Sequence, residues 1–280
     1  IGTFPPGRLF PDWTRVTSSG PVPVTSYTNY EGVRQENEGE WTGFHSVHLR
    51  ILPYIESVNL FNKIDFETAQ VLRMTASGKP YNINYDAYNE IAGMYICPSD
   101  DNSGRITSEN NYRYNFGGST PYGGAEKTNK QTTHDVEKNG LPALGNGAFT
   151  GGRGLSHAEF TDGLSHTAFF SERIKGSGLD PEVDLPTDAD VTVMYNRQNG
   201  LVDREEMFND CLTLELQLHP NNFMSSGRWL YGSDYSNGFP FAAYSSTMYN
   251  HVAPPNWEAV DCGTYSAIPD TPGEHDIISA

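Results

Sequence analysis

FHSVHLRILPYIESVNLF, residues 44–61, is the one segment of any length with a sustained helical hydrophobic period. Phe44, Val47, Ile51, Ile55, Val58 and Phe61 recur at spacings of three or four, and Leu52 and Tyr54 widen the stripe. That pattern predicts an amphipathic helix with one apolar face. Pro53 falls inside it. Its missing N–H and its clash with the carbonyl four residues back predict a kink, or a helix that restarts with Pro53 in its first turn. A lone helix cannot bury its stripe, and the rest of the chain reads as strands and loops. The predicted class is therefore α+β, with one main amphipathic helix packed on an antiparallel sheet that carries long loop insertions.

Outward from that segment, residues 1–43 hold Pro5, Pro6, Pro11, Pro21 and Pro23 and read as extended loop with short edge strands. IAGMYICPSD (91–100) reads as a short, central apolar strand ended by Pro98. NYRYNFGG (111–118) reads as one buried strand within a long surface excursion. Residues 148–174 predict strand, turn and strand, with the turn at Asp162 and Gly163. GLSH occurs at 154–157 and again at 163–166, and a single four-residue recurrence is no repeat architecture. The aromatic, Cys-bearing segments between 205 and 262 read as sheet-edge and cap segments.

The 280 residues are 36% hydrophobic, enough to bury a core, and predict a single domain over 1–280. Acidic residues outnumber basic ones 35 to 18, for a net charge of −17. Such a chain repels phosphate backbones and anionic lipid surfaces, which excludes nucleic acid as the expected partner. No apolar run approaches the roughly 18 residues that span a bilayer, and no secretory leader pattern is visible. The chain begins at Ile1 and reads as the remainder of a longer protein.

Three cysteines leave one unpaired. Cys211 and Cys262 bracket the aromatic segment and are the expected disulfide; closing a loop of about 50 residues contributes roughly 4 kcal/mol in the chain-entropy account. Cys97 is then left as a buried free thiol or bonded to a cysteine elsewhere.

Catalytic motifs are missing: no nucleophile elbow, no zinc helix, no glycine-rich phosphate loop and no Cys-x-x-Cys pair. His45 and His48 lie three apart and read as packing rather than as a metal pair. Asp162, Ser165 and His166 are sequence neighbours and read as a turn, because working triads assemble from distant segments. Asp100 with Asp101, and Glu205 with Glu206, read as solvated charges and caps. Asp180, Glu182, Asp184, Asp188 and Asp190 place five carboxylates in eleven residues, a donor set suited to calcium, although the simpler reading is a solvated acidic loop. The abundant aromatics between Trp229 and Trp257 suit core packing, sugar stacking or subunit contact.

IGTFPPG, WTGFHSVHLRILPYIESVNLFN, YICPSD, NYRYNFGG, DGLSHTAFFSERIKGSG, DCLT, GRWLYG and YNHVAPPN, in this order, resemble the planctomycete-type prepilin-like family of unknown function. That family is similar to type IV pilins and type II secretion pseudopilins. The resemblance implies a pilin-like head, with an N-terminal stalk helix and a C-terminal His-Pro-Gly-Gly segment lying outside this chain. It also implies calcium in a loop, a stalk cysteine as partner for Cys97, and membrane attachment through the stalk alone. The expected function is an extracellular, cell-surface structural subunit, non-catalytic and without a resident cofactor, that self-assembles into a helical filament or pseudopilus. The alternatives are an envelope-anchored binding module for polysaccharide or another solute, and a hydrolase built on a carboxylate pair.

Overall fold

The computed structural model describes residues 2–7, 14–17, 20–23, 39–40, 45–66, 73–74, 80–81, 84–91, 93–100, 109–117, 147–150, 153–177, 185, 187–194, 208–209, 212, 223–224, 238–240, 242, 246–251, 253–254, 256, 261–265 and 275–279. The strands are β1 (Thr14–Thr17), β2 (Gly20–Pro23), β3 (Gly39–Glu40), β4 (Arg73–Met74), β5 (Pro80–Tyr81) and β6 (Tyr112–Gly117), then β7 (Phe170–Glu172), β8 (Val191–Met194), β9 (Phe223–Met224), β10 (Met248–His251), β11 (Cys262–Tyr265) and β12 (His275–Ser279). The α-helices are α1 (Val47–Ile51), α2 (Val58–Phe61) and α3 (Tyr85–Ile91), and three-residue 3-10 turns occupy Leu52–Tyr54, His157–Glu159 and Leu164–His166. The class is α+β, with short helices.

The predicted helix over 44–61 is not continuous, and Phe44 lies outside the described residues. α1 ends at Ile51, and Pro53 sits in the first turn of the 3-10 segment, as the missing donor requires. Glu56 then takes a left-handed conformation, φ 62°, before α2 restarts at Val58. Each break rotates the side chains out of phase. Of the stripe, Val47 and Leu52 are buried whereas Tyr54, Ile55 and Val58 stay at 74%, 41% and 49% exposure, and Leu49, outside the predicted stripe, is buried as well.

The main sheet has seven strands in the order β7-β6-β10-β12-β11-β8-β9. It is mixed, which corrects the antiparallel expectation: β10 runs parallel to both β6 and β12, and β11 parallel to β8, while β6–β7, β11–β12 and β8–β9 are antiparallel. Parallel neighbours need long crossovers, and β6 and β10 are separated by more than a hundred residues of chain, so no local pattern announces their pairing. β10, read as an edge or cap segment, instead lies inside the sheet. β1, β2 and β3 form a separate three-stranded antiparallel sheet, and β4 pairs with β5.

β6 alternates: Tyr114 and Phe116 enter an apolar cluster with Val47, Phe149 and Met248, while Arg113 and Asn115 occupy the intervening positions. A second cluster joins Leu49, Leu52, Ile64, Tyr88, Ile91, Tyr95 and Phe239. α1 stands between the two, sending Val47 to one and Leu49 to the other. Ala87, Tyr88, Ile91 and Tyr95 follow the helical period, so Ile91 closes α3 and does not open a strand over 91–100. Gly93, φ 87°, turns the chain, and Met94 N–H and Ile96 N–H donate to the carbonyls of Ile91 and Gly93 at 3.1 and 3.3 Å. Among the described residues of 148–174 only the second predicted strand is present, as β7. The first gives way to turns, and the two GLSH copies differ: Ser156 caps the first 3-10 turn, whereas Gly163 opens the second at φ 87°.

Candidate functional site

The described residues hold two places where polar chemistry collects, one open and one closed. The open one is a groove of about 1010 Å³ beside the end of β6, lined by Asn115, Arg153, Glu159, Phe160, His166 and His251 among others. Its floor requires a close backbone approach: a Cβ on Gly147 would lie 2.5 Å from the Asn115 carbonyl oxygen and from the Gly117 nitrogen. Its wall is the capping box in which Glu159 accepts from the Ser156 N–H at 2.8 Å and pairs with Arg153 at 2.5 Å. Arg153 first, then the Ser156 groups, hold the Glu159 carboxyl down to about 2. Phe4 packs edge-on to His157 and Phe160 and steadies that wall, tied by its N–H to the Leu155 carbonyl at 2.7 Å.

The closed place is a buried ionic cluster where β6 begins and β7 ends. Lys175 is fully buried; its Nζ lies 3.3 Å from Asp100 Oδ2, 4.0 Å from Glu109 Oε2 and 3.5 Å from Asn111 Oδ1. Asn111 Nδ2 donates to Asp100 Oδ2 at 2.5 Å and to the Arg173 carbonyl at 2.8 Å, and the Cys97 N–H donates to Asn111 Oδ1 at 2.9 Å. Next to this, Arg173 pairs with Asp261, both nearly buried. Arg113 is buried in the same region; burial first, then the Arg173 charge, lower its affinity for a proton, and Asp261 opposes them.

The residues singled out by sequence are dispersed. His45 and His48 are both fully buried, with His45 stacked on Phe66 at 4.9 Å and His48 edge-on to Tyr95 at 4.6 Å, so the pair packs and does not converge on one point. Burial lowers His48 to about 3; the Tyr112 backbone opposes the shift without reaching hydrogen-bonding geometry with either ring nitrogen. His166 Nδ1 meets the backbone carbonyl of Asp162 at 2.9 Å, while Asp162 Oδ1 accepts from Thr167 Oγ1 at 3.3 Å. The carboxylate does not orient the imidazole, and these residues form a turn on the groove's rim.

Of the acidic loop, Asp180, Glu182 and Asp184 lie outside the described residues. Asp188 is exposed and Asp190 is buried. Asp190 Oδ1 accepts from the Ser177 N–H and Oγ–H at 2.8 and 2.9 Å, and Oδ2 from those of Thr187 at 2.8 and 3.0 Å. Both oxygens are committed to fastening 177 to 187. Among the described residues no group of three or more His, Cys, Asp or Glu is placed to hold a metal ion. Cys97 is a half-buried free thiol; Cys211, and with it the expected bridge to Cys262, lies outside the described residues.

Asp100, read as a solvated cap, is instead buried against Lys175, a correction that follows from the turn at 97–100 folding back on β6. Arg173 and Lys175 lie in the segment DGLSHTAFFSERIKGSG, and Glu109 and Asp261 in no quoted segment; none of the four belongs to a catalytic or metal-binding motif. The one signal in the sequence was charge set among apolar neighbours, in AFFSERIK and NYRYNF. No curated protein and no solved structure matches the chain. Residues 1–256, nearly its whole length, match the family described as "Protein of unknown function (DUF1559)", and the chain belongs to that family.

Proposed function

We propose that this chain is an extracellular, non-catalytic structural subunit that self-assembles through its head into a pilin-like surface fibre or pseudopilus. The observation that carries the reading is the exposure at the breaks of the helical segment: Tyr54, Ile55 and Val58, three apolar side chains within five residues, stand at 74%, 41% and 49% exposure. Exposed apolar patches of this kind mark contact surfaces, and head-to-tail contacts that do not close produce filaments. The net charge of −17 opposes the approach of copies, so assembly rises with ionic strength. Electron microscopy and sedimentation of the full chain across a salt series test this. Ordered filaments lost in Ile55→Asp and Val58→Asp support it; a monomer at every salt concentration overturns it.

The groove favours a second reading, a binding module for a polyhydroxylated solute such as a polysaccharide segment. Its donors and acceptors, Asn115, Arg153, Glu159 and His251, line a space of about 1010 Å³ beside the Phe160 ring, the mixed lining that a small-molecule site uses. Calorimetric titration with an oligosaccharide panel separates the two readings: saturable heat abolished in Arg153→Ala supports binding, and absence of heat removes it.

A further inference from the structure

We propose that Lys175 and Asn111 are joined by an intramolecular isopeptide bond, formed without an added enzyme, with Asp100 relaying the proton between the two nitrogens. The inference rests on four groups in one dry place. Lys175 and Glu109 are 0% and 1% exposed, and Asn111 is 1% exposed, so water that would compete for the amide or solvate the amine is kept out. The amine is held against the amide, with Nζ 3.5 Å from Asn111 Oδ1. A single carboxylate oxygen, Asp100 Oδ2, reaches both reacting nitrogens, at 3.3 Å from Nζ and 2.5 Å from Nδ2. The Cys97 N–H, 2.9 Å from Oδ1, points at the atom on which negative charge develops. An ion pair alone needs the lysine and a carboxylate; it does not need an amide carbonyl beside the amine, a backbone donor on that carbonyl and an acid on its nitrogen.

The reaction balances without an oxidant or a co-reactant. Nζ passes a proton to Asp100 Oδ2 and the free amine attacks Cγ of Asn111, sending the carbonyl electron pair to Oδ1 under the Cys97 N–H. The carbonyl re-forms, the Cγ–Nδ2 bond breaks, and the protons released by Nζ go to the departing nitrogen through Asp100. Lysine ammonium and asparagine amide become a secondary amide and an ammonium ion, with charge conserved. Glu109, 4.0 Å from Nζ, is the second carboxylate facing the amine and holds it in place. The bond fastens the residues after β7 to those before β6, closing a link across 64 residues of chain.

Mass spectrometry of the intact, reduced full chain tests this directly. The expected mass is about 17 Da below that of the sequence, one ammonia lost. A tryptic digest is expected to yield a branched peptide joining the fragments that contain Asn111 and Lys175. An intact mass equal to the sequence, with cleavage after Lys175, overturns the bond, and this measurement needs no variant. In Lys175→Arg the deficit disappears if the bond is right and persists if another lysine is responsible, which overturns the assignment. In Asp100→Asn, checked for folding by circular dichroism, loss of the deficit supports the relay and retention of the full deficit overturns it.

Discussion

Arg173 and Asp261, 88 residues apart in the chain, form a nearly buried ion pair in which the Arg173 Nε–H donates to Asp261 Oδ2. Arg173 follows β7 at one edge of the main sheet and Asp261 precedes β11 on the far side of β10 and β12, so the pair ties distant parts of the sheet together. Burying either charge alone is far more costly than burying both.

Removing one partner is therefore expected to destabilise more than removing both. Asp261→Asn leaves Arg173 and the adjacent Arg113 without their carboxylate and should cost about 3–5 kcal/mol. The double variant Arg173→Met, Asp261→Leu should recover part of that loss. Chemical denaturation of the single variants at Arg173 and Asp261 and of the double variant measures both; a double-variant loss equal to the sum of the two single losses would show that the pair is uncoupled.

His48 makes stability depend on pH. Its folded-state value of about 3 lies below the ordinary 6.5, so between those limits the unfolded chain binds the extra proton. Stability is then full above about 6.5 and falls as pH drops towards 3, by at most roughly 1.4 kcal/mol per pH unit from this group. His48→Phe should flatten the acid limb of a stability-against-pH curve over that window. An unchanged slope would show that the ring is not the group responsible.

Gly154 stands where no side chain fits, because a Cβ there would lie 1.8 Å from the Phe4 carbonyl oxygen, a backbone atom that cannot step aside as a side chain can. Gly154→Ala should displace residues 2–7 from the groove wall and cost about 1–3 kcal/mol. Faster proteolysis near Phe4, together with a lower denaturation midpoint, is the expected result.

Asp190 offers both oxygens to four donors. Asp190→Asn turns one of those acceptors into a donor facing the Ser177 or Thr187 groups, with an expected loss of about 1–3 kcal/mol. If the acidic loop binds calcium, the melting temperature of the native chain also rises with calcium over chelator; a curve unmoved by either would end that reading.

Cysteine accounting gives a further check. Alkylation of the unfolded, non-reduced chain should label Cys97 alone, leaving Cys211 and Cys262 bridged, and reduction should lower stability by roughly 4 kcal/mol. Labelling of all three thiols would remove the bridge.

The broken helix shows how far local pattern reaches. Pro53 announces the interruption, because a missing donor acts on its own turn whatever the surroundings. The left-handed Glu56 does not, since most residues prefer to avoid that region and nothing nearby in the chain compels it. A period of three and four then predicts a buried stripe that two successive breaks rotate into solvent. Ile91 is ambiguous in sequence for a related reason: a short apolar run fits a strand or the end of a helix, and only the packing of Tyr88 and Tyr95 with Leu49 and Leu52 decides between them.

What the sequence determined by itself is what neighbours along the chain control: the α+β class, the interruption at Pro53, the turn at Asp162 and Gly163, the buried strand at 112–117 and the acidic charge. What only the tertiary structure decided depends on residues brought together from far apart. The mixed order of the sheet, the groove between residues 147–168 and His251, and the meeting of Asp100, Glu109, Asn111 and Lys175 are of this kind. The physical reason is range: propensity and periodicity act over a few residues, whereas burial makes a lone lysine, two carboxylates and an amide costly until each finds the others, and the partners that satisfy them are set by the fold.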